Sequence, residues 1–303
     1  MSYTFTGYKL PKVLGAYKKS VKMHSMTWTG VGGVAPLMFK PQDAEDLAEF
    51  LRCTSFSVKA LGAGSNVIIR DGVVDKVIIK LGREFADMTC DGNTITVGCA
   101  AALTELVAFA RENSLTGFEF CVGIPGTVGG AVATNVSAYD KDIASVLHSV
   151  RAVNEYGEIC TLSKDDMEYS YRRHGLCGEW IFVEATFVGQ PAELSSIKST
   201  MSELVLRRNA SQPIYTGKVI GYVFKNPEDN KEARVLIEEA GCRGMQRGNA
   251  IISEKHCNFI ENIGGATASE IEDLGHEVRR LVEEKFGITL EWNIEFLGAR
   301  VVK

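Results

Sequence analysis

A mixed α/β or α+β fold is what this 303-residue sequence predicts, on three observations. Short β-branched runs alternate with amphipathic helical stretches through the first part of the chain, about 190 residues. Two glycine-rich loops, at 61–67 and 123–132, break into that alternation. The remainder is rich in helical patterns and reads as a smaller unit, so the chain divides near residues 190–205.

The first helical signal is DAEDLAEFLR from Asp43, where an Asp-x-x-Asp start places Leu47, Phe50 and Leu51 on one face. SVKALGAGSNVIIRDG and KVIIKLG follow as β-branched runs separated by the turn pair Asp71-Gly72. TITVG (94–98) alternates like a strand. From Leu103 to Ala110 apolar residues recur at i, i+3, i+4 and i+7, which returns the chain to helix. MSELVLRRNA is helical, and EARVLIEEAG is a helix with Gly241 as its stop. The last helix opens on the capping box Thr267-x-x-Glu270 and turns Ile271, Leu274, Val278, Leu281 and Val282 inward.

Composition narrows the function. Hydrophobic residues make up 45% and charged residues 23%, the usage of an ordinary globular protein. A net charge of −5 lacks the concentrated cations that phosphate backbones require, so nucleic acid is excluded as a partner. No apolar run approaches the roughly 20 residues that span a bilayer, and MSYTFTGYKLPK lacks a signal core, so the expected location is the cytoplasm without membrane insertion. The eight cysteines are scattered with no C-x-x-C pair, and they read as mostly buried, reduced thiols with no metal site.

The glycine loops carry the loudest chemical signal. Glycine lets backbone N–H groups approach an anion closely, which suits LGAGSNV and GIPGTVGGAV to a phosphate or pyrophosphate as well as to tight turns. A Rossmann fingerprint is excluded, because Val67 stands where its third glycine belongs and IIRDG continues as strand and turn rather than helix. A P-loop is excluded as well, since no Gly-Lys-Ser/Thr follows either cluster.

Seven stretches taken in series give these loops a context: TWTGVGGVA (27–35), LGAGSNVIIRDG (61–72), GFEFCVGIPGTVGGAVATN (117–135), YSYRRH (169–174), GYVFKNP (221–227), AIISEKHCNFIEN (250–262) and FGITLEWNIEFLG (286–298). In order and spacing the chain resembles the UDP-N-acetylenolpyruvoylglucosamine reductases, the MurB flavoenzymes of peptidoglycan synthesis, in their shorter type II form. The resemblance implies an α+β protein. Its FAD-binding domain (1–200) would be of the vanillyl-alcohol-oxidase type, in two lobes of about 1–80 and 81–200, followed by a substrate-binding domain (201–303). FAD would meet Gly62, Ala63, Gly64, Ser65 and Asn66 in the first loop, and Gly123, Ile124, Pro125, Gly126, Thr127, Gly129 and Gly130 in the second.

The resemblance also implies the reaction: NADPH reduces FAD, and the flavin reduces the enolpyruvyl double bond of UDP-N-acetylglucosamine enolpyruvate to give UDP-N-acetylmuramate. Three positions would carry it. Arg172 matches the arginine of the family's Tyr-Arg motif, with Arg173 as the neighbouring register, and a guanidinium gives the fixed, forked recognition of a carboxylate that lysine lacks. Tyr222 stands where the family's G-S-x-F-K-N-P has its proton-donating serine. Asn293 stands where Leu-x-x-Glu-Ile/Val has its acid, with Glu291 and Glu295 two positions to either side.

Gln212, Lys225, Asn226 and His256 match positions that contact the UDP-sugar in relatives. The segment 134–140 and His174 depart from the family, as do Tyr222 and Asn293, so departures gather at the substrate end. Two readings follow for the activity: a working reductase with a phenol as proton donor, or a family member that binds flavin or UDP-sugar with little turnover. Nothing in the sequence sets the oligomeric state.

Overall fold

The computed structural model describes residues 10–213, 218–227 and 231–301. Three large apolar cores, each built on its own sheet, organise them, and a fourth, smaller one joins Met38 and Ile78 of the first sheet to Ile69 and Leu297. In the first, strands Ala16–Lys22, Val34–Lys40, Val77–Ile79 and Val58–Ala60 lie side by side in that order, the outer pair antiparallel and the others parallel. Helix α1 (Ala44–Cys53) lays Leu47, Phe50 and Leu51 on this sheet, and the Phe39 and Phe50 rings stack 4.5 Å apart. Asp43 caps α1 as its spacing predicts, its carboxylate accepting from the Asp46 amide at 2.8 Å.

The second core sits under a five-stranded antiparallel sheet in the order Ile159–Ser163, Leu147–Asn154, Trp180–Val188, Thr94–Gly98, Met88–Asp91. Helices α2 (Leu103–Glu112) and α3 (Val128–Ala133) bury Leu106, Val107, Val128 and Val132 against it. Helix α4 (Leu194–Ser211) packs beside α2 and delivers its last turn to the cavity described below.

The third core joins α5 (Ala233–Glu239) and α6 (Ala268–Phe286) to a four-stranded antiparallel sheet of Val219–Gly221, Phe259–Asn262, Ala250–Ile252 and Gln246–Arg247. Val31 and Ile68 from the first lobe insert into it, so this unit is seated on the amino-terminal lobe. The capping box of α6 forms as read: Thr267 Oγ1 accepts from the Glu270 amide at 3.1 Å, and the Glu270 carboxylate accepts from the Thr267 amide at 2.9 Å.

Segregated, mostly antiparallel sheets with helices on their faces make this an α+β fold. Asp71-Gly72 does not fold its flanking strands onto each other. Val67–Ile69 pairs in parallel with Glu295–Leu297, while Val77–Ile79 lies inside the first sheet. The Asp71 carboxylate is used elsewhere, accepting from the Ala268 and Ser269 amides at 2.9 Å at the start of α6. All eight cysteines are free thiols, but only Cys99, Cys121, Cys242 and Cys257 are buried. Cys53 and Cys177 are exposed.

Candidate active site

A cavity of about 1270 Å³ runs between the three cores. One end is made by the two glycine loops, which touch where Ser65 Oγ donates to the Pro125 carbonyl at 3.1 Å. Gly64 holds φ +69°, and a Cβ there would stand 2.3 Å from the Met26 carbonyl oxygen, so no other residue fits without moving backbone. Gly126, at φ +138°, faces the first loop, and a Cβ there would stand 3.3 Å from Ser65 Oγ. Among the described residues the backbone N–H groups of Ala63, Gly64 and Ser65 donate to no protein acceptor. A row of free amides on a loop with no side-chain bulk suits a diphosphate, so the cradle fits FAD.

Ten of the twelve loop residues expected to bind the cofactor line this cavity. Gly123 backs onto Arg208 Cδ, and Gly129 packs on Cys99, so these two shape the loop from behind. The Lys80 ammonium donates to the Gly62 carbonyl and ties down the first loop. Its burial, with Lys40 close by, pulls its pKa below the ordinary lysine value.

The other end carries the charged and phenolic groups. Arg172 lines the cavity, its Nη2 donating to the Ser137 carbonyl at 3.3 Å, while Nε is buried with no acceptor among the described residues. Arg173 Nε instead donates to Ser170 Oγ at 2.8 Å, outside the lining. An uncompensated buried guanidinium N–H calls for an anionic partner. His174 also faces the cavity, and burial lowers its pKa, which keeps it neutral at pH 7.

Tyr222 projects into the same space from a backbone at φ +52°, an uncommon conformation for a side chain of this size. Its ring meets the edges of His256 and Phe259, both at 5.4 Å, and lies 5.9 Å from the Arg172 guanidinium carbon. Its hydroxyl accepts from Gln212 Nε2 at 3.1 Å. Burial raises the phenol pKa, against the pull of Arg208 and Arg172, so the group stays protonated through the neutral range. His256 is buried and pushed down to about 4, first by desolvation and then by Arg234, so it is neutral above that pH.

Asn293 lines the cavity too, but its amide is employed as a strut. Nδ2 donates to the Tyr222 carbonyl at 2.8 Å, its own N–H reaches the Val223 carbonyl at 2.9 Å, and its carbonyl accepts from Asn66 Nδ2 at 3.0 Å. One residue thereby joins the Tyr222 turn to the first glycine loop. Trp292 beside it stacks on Phe224 at 4.7 Å and fixes the register of the two segments.

Of the other positions expected to meet substrate, Gln212, Asn226 and His256 line the cavity. Asn226 Oδ1 accepts from the Ala233 amide at 3.0 Å, at the start of α5. Lys225 lies outside the lining and pairs with Glu291 at 3.2 Å. Glu295 does line the cavity, pairing with Lys59 at 2.7 Å, whereas Glu291 is largely exposed. Arg208 was hidden by sequence reasoning inside a helical run. Its spacing of four from Gln212, the residue that closes α4, is the signal that brings the two side chains together.

Comparison with known proteins agrees with this geometry along the whole chain. The family described as "UDP-N-acetylenolpyruvoylglucosamine reductase, C-terminal domain" matches residues 212–297, and that described as "FAD binding domain" matches residues 35–163. A UDP-N-acetylenolpyruvoylglucosamine reductase of Anaplasma marginale (strain St. Maries) is 58% identical over 298 residues, 98% of this chain and 99% of that one. Another, from Wolbachia pipientis subsp. Culex pipiens, is 47% identical, covering 95% of this chain and 98% of its own. The crystal structure of the Thermus caldophilus reductase (MurB) superposes with a TM-score of 0.83 at 30% identity, covering 94% of this chain and 100% of that one.

Proposed function

The chain belongs to the UDP-N-acetylenolpyruvoylglucosamine reductase family, and on that premise we propose which of its residues carry the reaction. It is an FAD-dependent oxidoreductase of peptidoglycan synthesis, with NADPH as electron donor and UDP-N-acetylglucosamine enolpyruvate as substrate. FAD, when bound, supplies hydride transfer between NADPH and the enolpyruvyl double bond. Ala63, Gly64, Ser65, Asn66 and the second loop from Ile124 to Thr127 hold it; the free amides of the first loop support this.

Arg172 lines the cavity and sets a fixed positive charge where electron density builds on the substrate carboxylate. Tyr222 gives its phenolic proton to the carbon beside the one reduced: the O–H bond breaks as the C–H bond forms, and solvent reprotonates the phenolate. Asn293 holds the Tyr222 turn in place and gives no proton. Gln212, Asn226 and His256 contact the UDP-sugar, with Lys225 reaching it only if it leaves Glu291. We keep 1–200 as the flavin unit and 201–303 as the substrate unit, with α4 bridging them. The cytoplasm, which supplies NADPH and UDP-sugars, is the proposed location.

The observation that carries this reading is the protonated phenol of Tyr222 facing the Arg172 guanidinium within one cavity. The purified protein is expected to show a bound-flavin spectrum and to oxidise NADPH beyond one equivalent only when the enolpyruvyl UDP-sugar is present. A flavin-loaded protein that forms no UDP-N-acetylmuramate would favour a role in binding alone.

A further inference from the structure

We propose that Arg208 and Gln212 are positioning residues that hold the Tyr222 hydroxyl with its proton turned into the cavity. This rests on the reductase reading above and adds the device that makes a phenol usable at a serine's place.

The direction of the relay follows from the chemistry of its first member. A guanidinium only donates, and Arg208 Nη1 reaches Gln212 Oε1 at 2.9 Å, with both residues buried. The amide oxygen is therefore pinned toward Arg208, and the amide N–H₂ must face the other way. It meets the Tyr222 oxygen at 3.1 Å and can only donate to it. The phenol oxygen is left as acceptor on that side.

A phenolic hydrogen lies near the ring plane on one side of the oxygen, so a donor on one side sends it to the other. There the hydroxyl has no protein acceptor among the described residues and faces the cavity. Arg208 thus sets which end of the Gln212 amide the phenol meets. The structure holds Tyr222 in place independently of this relay, through the Asn293 bond to its carbonyl and the flanking rings of His256 and Phe259. That separation lets the orientation of the proton be altered while the ring stays where it is.

The test is Gln212→Glu, nearly isosteric, whose carboxylate accepts from Arg208 and from the phenol alike and so reverses the hydroxyl. In the flavin-loaded variant, product formation from the reduced protein at saturating enolpyruvyl UDP-sugar is expected to slow by about 10²-fold, the low end of what a general acid contributes. In flavin-free protein labelled with ¹³Cζ-tyrosine, the Tyr222 resonance, assigned by its loss in Tyr222→Phe, is expected to move downfield as the hydroxyl becomes a donor to carboxylate.

A resonance that does not move, or product formation at the parent rate, overturns the proposal. Arg208→Met serves if Gln212→Glu does not fold: loss of the donor to Gln212 Oε1 is expected to shift the same resonance part of the way, and an unmoved resonance again overturns the proposal. Absence of turnover in the parent protein would count against the reductase reading instead, and the resonance would still decide the relay.

Discussion

The two ends of the cavity are built by different means. At the flavin end the working groups are backbone amides, and what the sequence must provide is the absence of side chains at Gly64 and Gly126. At the other end the groups proposed to work are the side chains of Arg172, Tyr222 and Asn293, each held by contacts from segments more than 30 residues away. A backbone cradle tolerates little change, because a Cβ either fits or does not. A side-chain site can exchange serine for tyrosine and acid for amide, provided a new set of contacts holds the replacements. By the resemblance read from the sequence, the chain keeps the family's pattern at the first end and departs from it at the second.

The sharpest way to separate the two ends is to remove charge at one of them. Arg172→Leu is expected to lower product formation from the reduced protein by about 10²–10³-fold, as for other deleted oxyanion donors, while FAD affinity measured by flavin fluorescence stays at the parent value. A matching loss of FAD would show that the ends are not separable. Gly64→Ala breaks the comparison from the opposite side. Its Cβ meets a backbone carbonyl and its φ is strained, at a cost of roughly 1–3 kcal/mol, so FAD affinity is expected to fall by about ten- to a hundredfold.

Asn293→Glu restores the family's acid by type but sets a carboxylate against the Tyr222 carbonyl, which now accepts from an amide. It is expected to lower unfolding free energy by about 1–3 kcal/mol in urea and to bring no gain in rate. Faster turnover would mean that the strut can be spared. The smallest effect is expected at His256. Its folded pKa of about 4 lies below the ordinary histidine value near 6.5, so the unfolded chain takes up the proton first as pH falls. Stability is full above that ordinary value and is lost as pH drops toward 4. Between pH 7 and pH 5 the loss from this group should be about 1–2 kcal/mol, and His256→Gln should remove that share, leaving the part due to His174, in paired denaturation curves.

Local signals in the sequence were legible where a local bond enforces them. The Asp43 cap and the Thr267–Glu270 box both form as their spacing predicts, because each joins residues three apart. The pairing of Val67–Ile69 with Glu295–Leu297 was not legible, since nothing in VII names a partner more than 220 residues away. Likewise, Asp71-Gly72 has the composition of a turn, yet the Asp71 carboxylate serves the start of α6.

At the site, the glycine loops announced themselves by composition. Arg208 did not, because an arginine in a helical run has the pattern of a solvated residue until Gln212 and Tyr222 are seen to complete its hydrogen-bonded chain. Resemblance located Asn293 and Tyr222, but only the fold shows that Asn293 holds the turn from which Tyr222 projects.

The central claim is that the Tyr222 phenol delivers the proton. It is tested most directly by mixing NADPH-reduced, flavin-loaded protein with the enolpyruvyl UDP-sugar in deuterated solvent, and comparing the parent with Tyr222→Phe. The parent is expected to form UDP-N-acetylmuramate with solvent deuterium on the carbon beside the one that receives the hydride. The variant should do so 10²–10⁴-fold more slowly with unchanged flavin content and unchanged reduction by NADPH. Equal rates in the two proteins would contradict the account and make Tyr222 an occupant of the cavity rather than its acid.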